Sequence, residues 1–288
     1  MDHTIKDSSG RTLSFTDYGQ AEKTAVFWCH GGPGSRLEPR SIINQVKANL
    51  VRFIGIDRPG YGSTSPLPNR TINDWTSDLL TIANHLEIEK FYMVGVSTGG
   101  SYSLAAASKY PDKVLGVLVC CGMTDMRWAA KNSSMDTVEA YKGLSREQAY
   151  KKAVEDMGED GSQMLSNGNE EEALNLAPAD LSLLEDPEYL KLLVSNDATF
   201  AQGLTGYADD RLADCSSSGW SSFDVGKVNC PVNIIHGNED TIVPVAHAQH
   251  TSEIVKNSML KIFPNHGHLS VINEVNDNLQ LLIQRVEM

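Results

Sequence analysis

The sequence contains few basic residues and no long apolar segment. It has 24 Lys and Arg residues against 37 Asp and Glu residues, and its formal net charge is −13. Proteins that bind nucleic-acid backbones need clustered positive charge, so this balance argues against nucleic acid as a partner. No apolar stretch approaches the ~20 residues that span a bilayer, and the N-terminal residues lack the apolar run of a secretory signal. We therefore expect a cytoplasmic protein without a membrane span.

Patterns typical of disulfide frameworks, metal sites and nucleotide cofactors are also missing from the sequence. The five cysteines are an odd number without framework spacing, and adjacent Cys120 and Cys121 lack the spacing of a metal-ligand pair. The glycine-rich segments near residues 31 and 95 match neither a P-loop nor a G-x-G-x-x-G dinucleotide motif. We therefore expect buried thiols, no metal ion and no cofactor. No pattern in the sequence indicates an oligomeric state.

Strand-like and helix-like segments alternate along the first part of the chain. A hairpin over about residues 4–18 comes first, and the alternation that follows predicts a parallel sheet with helices on both faces. The alternation of strand-like and helix-like segments stops near Thr124 and resumes near Val232. The predicted strands lie near residues 24–29, 51–56, 91–96 and 114–120, and the predicted helices near 38–49, 73–87 and 98–109.

The middle of the chain differs from the rest in charge and in pattern. Residues 127–222 include 18 acidic and 8 basic residues, which accounts for most of the net negative charge. Ser145 and Gln148 have the spacing of a capping box that opens a helix. We predict a helical cap over residues 124–226, inserted into a core formed by 1–123 and 227–288. Its predicted helices cover 145–157, a segment that begins near 169, 179–184 and 188–194.

A G-x-S-x-G motif at residues 95–99 stands between a predicted strand and a predicted helix. The two glycines remove side chains that would clash in a sharp strand-to-helix turn. Such a turn holds the Ser97 hydroxyl at the tip of the sheet, close to a helix N-terminus, where it is presented as a nucleophile. The alternative interpretation is a turn of small residues without a catalytic role.

A glycine-rich loop at residues 30–35 follows another predicted strand. Acyl transfer passes through a tetrahedral intermediate with a negative oxygen, which two N–H donors stabilise. We expect these donors to be the backbone N–H groups of Gly32 and of Thr98, the residue after the predicted nucleophile. The alternative interpretation of the loop is a tight Pro-Gly turn without a ligand.

Two further loops supply candidates for the acid and the base. Asp240 follows a predicted buried strand, and a carboxylate there is placed to orient an imidazole; Glu239 and Asp125 are its rivals. His268 follows the last predicted strand and precedes a predicted C-terminal helix, so it can reach back to the serine. His266, two residues earlier, is its rival.

These positions together resemble the α/β-hydrolase superfamily. The chain order Ser97, Asp240, His268 is that of its nucleophile, acid and base. Residues 57–65 resemble the D-x-x-G-x-G-x-S turn that is common in the superfamily, and the resemblance extends from about residue 12 to the C-terminus. It implies an α/β-hydrolase fold: a mostly parallel sheet of about eight strands, with helices on both faces and an inserted helical cap.

Within the superfamily, the loop over residues 30–35 is similar to that of the proline iminopeptidases. Those enzymes usually carry a tryptophan where this chain has Thr98. The loop, the 57–65 turn and the serine motif together resemble more closely the esterases of this fold. That resemblance implies hydrolysis of an ester or related acyl bond of a small molecule through an acyl-enzyme intermediate. An iminopeptidase-like aminopeptidase or amidase, and a non-catalytic ligand receptor on the same fold, are the alternatives.

The predicted cap supplies candidates for a substrate pocket. Trp128, Tyr207 and Trp220 are expected to line an acyl pocket, and the alternative for each is plain packing. Asp209 and Asp210 are candidates for meeting a cationic substrate group, such as a free amine. The alternative for these acids is a solvated helix face.

Overall fold

The computed structural model of this protein describes residues 1–43, 51–133, 137–161, 176–187, 189, 196–215 and 218–288. The helix predicted to begin near Asn169 and most of the helix predicted over 188–194 lie outside these residues. The same holds for the end of the helix predicted over 38–49. No helix within the described ranges is long and apolar enough to cross a bilayer.

One sheet of eight strands forms the centre of the fold. The first two strands form the predicted hairpin, and pairing is antiparallel between β1 and β2 and between β2 and β4 but parallel between all other neighbours. The strand order is β1-β2-β4-β3-β5-β6-β8-β9, which confirms the expected mostly parallel sheet of about eight strands. The strands are β1 (Asp2–Lys6), β2 (Thr12–Asp17), β3 (Thr24–Cys29), β4 (Val51–Ile56), β5 (Phe91–Val96), β6 (Val114–Cys120), β7 (Ala201–Leu204, outside this sheet), β8 (Val232–Gly237) and β9 (Ser258–Phe263).

Helices follow the parallel strands and also occupy the middle of the chain. The capping box predicted at Ser145 is present, because its side chain accepts from the N–H of Gln148 while the Gln148 side chain accepts from the N–H of Ser145. This box begins a helix of twelve residues as predicted. The helices are α1 (Arg40–Ile43), α2 (Thr76–His85), α3 (Thr98–Lys109), α4 (Met126–Asn132), α5 (Thr137–Tyr141), α6 (Arg146–Met157), α7 (Pro178–Leu184), α8 (Asn196–Thr199), α9 (Thr205–Cys215), α10 (Ala246–Ile254) and α11 (Val275–Glu287).

Apolar clusters cover both faces of the sheet. Successive side chains of a strand point to opposite faces, so Phe27 and Trp28 of β3 belong to different clusters. Helices α2, α3 and α10 pack with Phe27 on one face, and α1 and α11 pack with Trp28 on the other. Strands buried on both faces need continuous apolar sequence, which is why β3 and β5 read as unbroken apolar runs.

A third apolar cluster joins the middle of the chain to loops at the carboxyl ends of the strands. Residues of α4, α5, α6 and α9 pack there against Tyr61, Met123 and Val243. Trp220 behaves differently, because it packs in the cluster with Phe27 on the sheet rather than in this third cluster. Ala213, near the end of α9, also packs in the cluster with Phe27, so the packing of the predicted cap segment changes near the end of α9, before the predicted boundary at residue 226.

Candidate active site

Ser97 lies at a strained turn between β5 and α3. Its φ is 52° and its ψ is −120°, a region that residues with side chains seldom adopt. A Cβ on Gly95 would clash with the Gly99 carbonyl, and a Cβ on Gly99 would clash with the Cys29 carbonyl. The N–H of Ser97 donates to the Cys120 carbonyl at 2.9 Å, which ties the turn to β6. The motif glycines thus allow the backbone path that presents this serine.

Asp240 and His268 are joined by a hydrogen bond between loops that follow β8 and β9. The distance from His268 Nδ1 to Asp240 Oδ2 is 2.8 Å. The other oxygen of Asp240 accepts from the N–H groups of Ile242 and Val243 at 2.9 and 2.8 Å. These contacts fix the carboxylate in place, so that one oxygen is left to orient the imidazole.

The ionisation of this pair follows from its contacts. Burial alone raises the pKa of Asp240, but the adjacent His268 and hydrogen bonds from both His268 and His236 hold that pKa well below its usual range. Burial lowers the pKa of His268, yet the Asp240 carboxylate outweighs burial and raises that pKa well above its ordinary value. The aspartate is therefore ionised at neutral pH, and it stabilises the protonated imidazole.

The rival acids and base lie in other environments. Asp125 accepts from the N–H of Arg127 at the start of α4 and pairs with its guanidinium at 2.7 Å. The N–H of Glu239 donates to the His266 carbonyl at 2.9 Å. His266 Nδ1 lies 2.8 Å from the Pro264 carbonyl, and its Nε2 lies 3.6 Å from Glu274. The structure pairs His268 with Asp240, whereas Asp125 and His266 are paired with other groups.

A cavity of about 330 Å³ adjoins Ser97 and His268. It opens at the carboxyl ends of the strands, where ligands bind in open α/β sheets. Of the three aromatic candidates, Tyr207 lines this cavity, whereas Trp128 stacks on His250 and Trp220 donates to Ser101 Oγ within the core. The residues that line the cavity include Gly31, Gly32, Glu38, Ser97, Thr98, Met123, Met157, Tyr207, Arg211, Val243 and His268.

The glycine-rich loop borders the same cavity, and its backbone N–H groups differ in whether they have a hydrogen-bond acceptor. The N–H of Gly31 donates to Glu38 Oε1 at 3.0 Å, and Glu38 Oε2 accepts from Trp28 Nε1 at 2.6 Å. Burial raises the pKa of Glu38, although these hydrogen bonds partly offset the effect. Within the described part of the chain, no residue accepts a hydrogen bond from the N–H of Gly32 or of Thr98. Both donors therefore have capacity for an oxygen in the cavity.

His236 also contacts Asp240, a contact that the sequence analysis did not predict. Its Nε2 lies 2.8 Å from the Val243 carbonyl and 3.1 Å from Asp240 Oδ2, so one N–H is shared between two acceptors. His236 is fully buried at the end of β8, four residues before Asp240. That spacing was the available signal for the contact.

Asp180 of α7 supports the loop that carries His268. Its Oδ1 accepts from both the N–H and the hydroxyl of Ser270, at 2.8 and 2.6 Å. The Ser270 hydroxyl in turn accepts from the N–H of Gly267 at 2.8 Å. Ninety residues separate the two partners in the chain, and no local pattern marks this contact.

Asp209 and Asp210 are both paired within the protein. Asp209 pairs with Arg146 at 2.7 Å, and Asp210 pairs with Arg58 at 2.7 Å and Arg70 at 2.5 Å. The side chain of Asp210 is fully buried. This pairing contradicts the hypothesis that Asp210 meets a cationic group of the substrate, because a buried carboxylate already neutralised by two guanidinium groups offers no site for an amine. Asp209 has one arginine partner, and among the described residues that line the cavity neither acid is present.

Across the described ranges, no three His, Cys, Asp or Glu side chains are grouped so as to hold a metal ion.

Comparisons with known proteins agree with this architecture. An uncharacterised hydrolase of Bacillus subtilis, YcgS, is 22% identical over 261 residues, covering 90% of this chain and 89% of the relative. A probable proline iminopeptidase of Leptolyngbya boryana is 30% identical over 117 residues, which covers 39% of this chain and 36% of the relative. The solved esterase of Exiguobacterium antarcticum has a TM-score of 0.72 at 19% identity, with full coverage of both chains.

The family model described as alpha/beta hydrolase fold matches residues 24–275. This range includes the parallel strands, the strained serine turn and the Asp240–His268 pair. The chain therefore belongs to the α/β-hydrolase fold family, and hydrolases are among its relatives.

Proposed function

We propose that this protein is a serine hydrolase that cleaves a carboxylic ester of a small molecule, with Ser97 as nucleophile. The observation that carries this proposal is the shared cavity: the strained Ser97 and the Asp240-bound His268 both line it. Its volume of about 330 Å³ suits a small-molecule substrate. Esterases among the structural neighbours are consistent with this reaction.

The first half of the reaction forms an acyl-enzyme. Ser97 Oγ attacks the ester carbonyl carbon while neutral His268 Nε2 takes the hydroxyl proton. The carbonyl oxygen becomes negative and accepts from the N–H groups of Gly32 and Thr98, each worth about 3 kcal/mol of barrier in related sites. His268 then gives its proton to the leaving alkoxide as the C–O bond breaks. The alcohol departs, and the acyl group remains on Ser97.

The second half releases the acid. The oxygen of a water molecule attacks the acyl carbon while His268 takes a proton from that water. The N–H groups of Gly32 and Thr98 again bind the oxyanion. The imidazolium returns the proton to Ser97 Oγ when the ester bond to the enzyme breaks. Asp240 stabilises the imidazolium in both halves, which is the physical effect of the raised pKa of His268.

The segment over residues 124–226 acts, in this proposal, as a cap on the core formed by 1–123 and 227–288. Six cavity-lining residues come from this segment: Thr137, Met157, Tyr189, Thr199, Tyr207 and Arg211. Apart from the Arg211 guanidinium, which pairs with Asp214, their methyl, thioether and aromatic groups make the far wall largely apolar. Such a wall favours the acyl or alcohol part of an ester and limits access of water to the reaction.

An aminopeptidase or amidase is the second candidate, and the partial similarity to a proline iminopeptidase favours it. Two features of this chain favour the esterase instead. Thr98 stands where the iminopeptidases usually carry tryptophan, and the adjacent cap acids Asp209 and Asp210 are occupied by arginines. An amine-binding site would need an acid with capacity for a further partner.

A fluorophosphonate probe tests the nucleophile. We expect wild-type protein to be labelled and Ser97→Ala to lose the label. Ser103→Ala is the matched control, because Ser103 lies in α3, the helix that follows Ser97, is fully buried and has a hydroxyl without a hydrogen-bond partner in the described structure. Labelling of Ser103→Ala should match wild type. An unlabelled wild type would favour the ligand receptor, and persistent labelling of Ser97→Ala would identify another nucleophile.

Parallel assays decide between the two enzyme classes. p-Nitrophenyl esters of graded acyl length are compared with aminoacyl arylamides at equal concentration, using wild type and Ser97→Ala. We expect Ser97-dependent turnover of the esters. Faster Ser97-dependent turnover of the arylamides would contradict ester specificity while leaving the serine mechanism intact.

A further inference from the structure

The carbonyl of the Gly31–Gly32 peptide bond is held by the side chains of Arg58 and His30. Arg58 Nη2 donates to the Gly31 carbonyl at 2.7 Å, and Nη1 of the same guanidinium donates to the His30 carbonyl. His30 Nδ1 lies 2.6 Å from the Gly31 carbonyl as well. Its Nε2 accepts from the N–H of Arg58 at 3.2 Å, so the neutral ring donates through Nδ1. Burial lowers the pKa of His30 well below its ordinary value, which agrees with a neutral ring.

These contacts bear on Gly32 because a peptide group is planar. The carbonyl of Gly31 and the N–H of Gly32 belong to one trans peptide unit, so they point in opposite directions. Two donors that fix the carbonyl therefore also fix the direction of the N–H on the cavity side. A cationic donor on the carbonyl further polarises the unit and makes its N–H a stronger donor.

Arg58 is itself held by the middle segment of the chain. Asp210 of α9 accepts from Arg58 Nη2 at 2.7 Å and from Arg58 Nε at 3.2 Å. Tyr61 donates to the same carboxylate oxygen at 2.8 Å, and Tyr102 donates to the other oxygen at 2.9 Å. Arg58 and Asp210 are both fully buried, so water does not weaken their attraction.

We propose that Arg58 and Asp210 are positioning residues that orient and polarise the N–H of Gly32 toward the oxyanion. The connection runs from Asp210 on the cap helix, through the Arg58 guanidinium and the Gly31 carbonyl, to the cavity. It rests on the proposed serine hydrolase function. The cap segment therefore contributes to the oxyanion site through Asp210.

Phenylboronic acid is the probe for this connection. Ser97 Oγ adds to its boron, the hydroxyl proton moves to His268, and the tetrahedral adduct carries a negative charge next to the oxyanion donors. The variant is Asp210→Asn, which keeps the shape but removes the charge that holds Arg58. The matched control is Asp209→Asn, the neighbouring buried acid of the same helix, whose carboxylate pairs with the partly exposed Arg146 and does not contact Arg58.

We expect Asp210→Asn to weaken phenylboronic acid binding and to lower kcat for p-nitrophenyl butyrate by at least about tenfold, with KM changed less than about threefold. Asp209→Asn should match wild type. Partial unfolding of a variant lowers its apparent kcat but leaves the inhibition constant of the folded fraction unchanged. The inhibition constant therefore distinguishes a positioning role from a merely structural one.

If Asp210→Asn does not fold, Tyr61→Phe tests the proposal instead. This variant removes one hydrogen bond from Asp210 Oδ2, the oxygen to which Arg58 also donates. Weaker phenylboronic acid binding with unchanged KM supports the proposal, and unchanged binding overturns it. A folded Asp210→Asn that matches Asp209→Asn also overturns it. A wild type that neither hydrolyses the ester nor binds the boronic acid defeats the serine hydrolase function itself, which is a separate result.

Discussion

Two buried aspartates, Asp240 and Asp210, organise two different networks in this protein. Both side chains are fully buried, and both have a pKa well below the usual range. In each case burial alone raises the pKa, and the positive partners more than offset it. Asp240 contacts His268 and His236, whereas Asp210 contacts Arg58 and Arg70.

The difference between the partners determines what each network can do. An imidazole can gain or lose its proton near neutral pH, so the charge of the Asp240 network can change during a reaction. A guanidinium keeps its proton at all ordinary pH values, so the Asp210 network has a constant charge. The first arrangement suits proton transfer, and the second suits the fixing of backbone geometry. The predictions below test this division.

Removal of the Asp240 charge should have the largest effect on the reaction. In Asp240→Asn the amide keeps an oxygen for the N–H groups of Ile242 and Val243 but places an NH₂ against His268. That donor favours the wrong imidazole tautomer, so we expect kcat to fall by about 10³–10⁴-fold in an ester assay. Glu239→Gln, a neighbour in the same loop, is the control and should change kcat less than about twofold. A mild Asp240→Asn would show that another acid serves His268.

Removal of the Asp210 charge should have the largest effect on stability. It leaves Arg58 and Arg70 buried without their shared carboxylate, so Asp210→Asn should lower the free energy of unfolding by about 3–5 kcal/mol at pH 7. Asp209→Asn should cost less, about 1–2 kcal/mol, because the Asp209 side chain is buried but its one partner, Arg146, is 39% exposed and can be solvated. Urea denaturation of both variants measures the difference. Equal losses would contradict the distinction drawn between these adjacent acids.

The loss of unfolding free energy in Asp210→Asn should depend on pH. The pKa of Asp210 is depressed in the folded protein, so its stabilising contribution is present above the ordinary value of about 3.9. The contribution is lost as the pH falls through the folded value. The stability difference between wild type and Asp210→Asn should therefore shrink on acidification below about pH 4.

The rate profile should show the titration of His268. Only the neutral ring accepts the Ser97 proton, and the pKa of His268 is raised by Asp240, so the rise of kcat/KM with pH should lie above about pH 6.5. In Asp240→Asn the rise should move to lower pH by about one unit or more. The contribution of His268 to the free energy of unfolding changes with pH in the opposite direction. It is present below about pH 6.5 and is lost as the pH rises through the pKa of His268 in the folded protein. An unshifted profile would remove His268 as the titrating base.

An aspartate outside both networks should have the smallest effect. Asp125 accepts from the N–H of Arg127 at the start of α4, and its paired arginine is 44% exposed. Asp125→Ala should therefore cost about 1 kcal/mol of unfolding free energy as a lost helix cap. The ester assay should show kcat within about twofold of wild type. A large loss of activity would reinstate Asp125 as the catalytic acid.

Local patterns predicted most of the elements that position the site. The strands β3 to β6, the helix after Ser97 and the capping box at Ser145 depend on residues close in sequence, and the structure contains each of them. The pocket-lining aromatics were less predictable. Trp128 and Trp220 have the same apolar character as Tyr207, but only their three-dimensional neighbours place one on a histidine and the other in the core.

The sequence by itself determined the strained serine turn, the chain order of the candidate residues Ser97, Asp240 and His268, and the alternation that folds as a parallel sheet. Each depends on side-chain size, backbone freedom or periodicity over a few residues. Only the tertiary structure decided which acids have partners: Asp240 with His268, Asp180 with Ser270, and Asp210 with Arg58 across 152 residues. A carboxylate has the same local signature whether solvent or an arginine neutralises it, because its charge acts through space rather than along the chain.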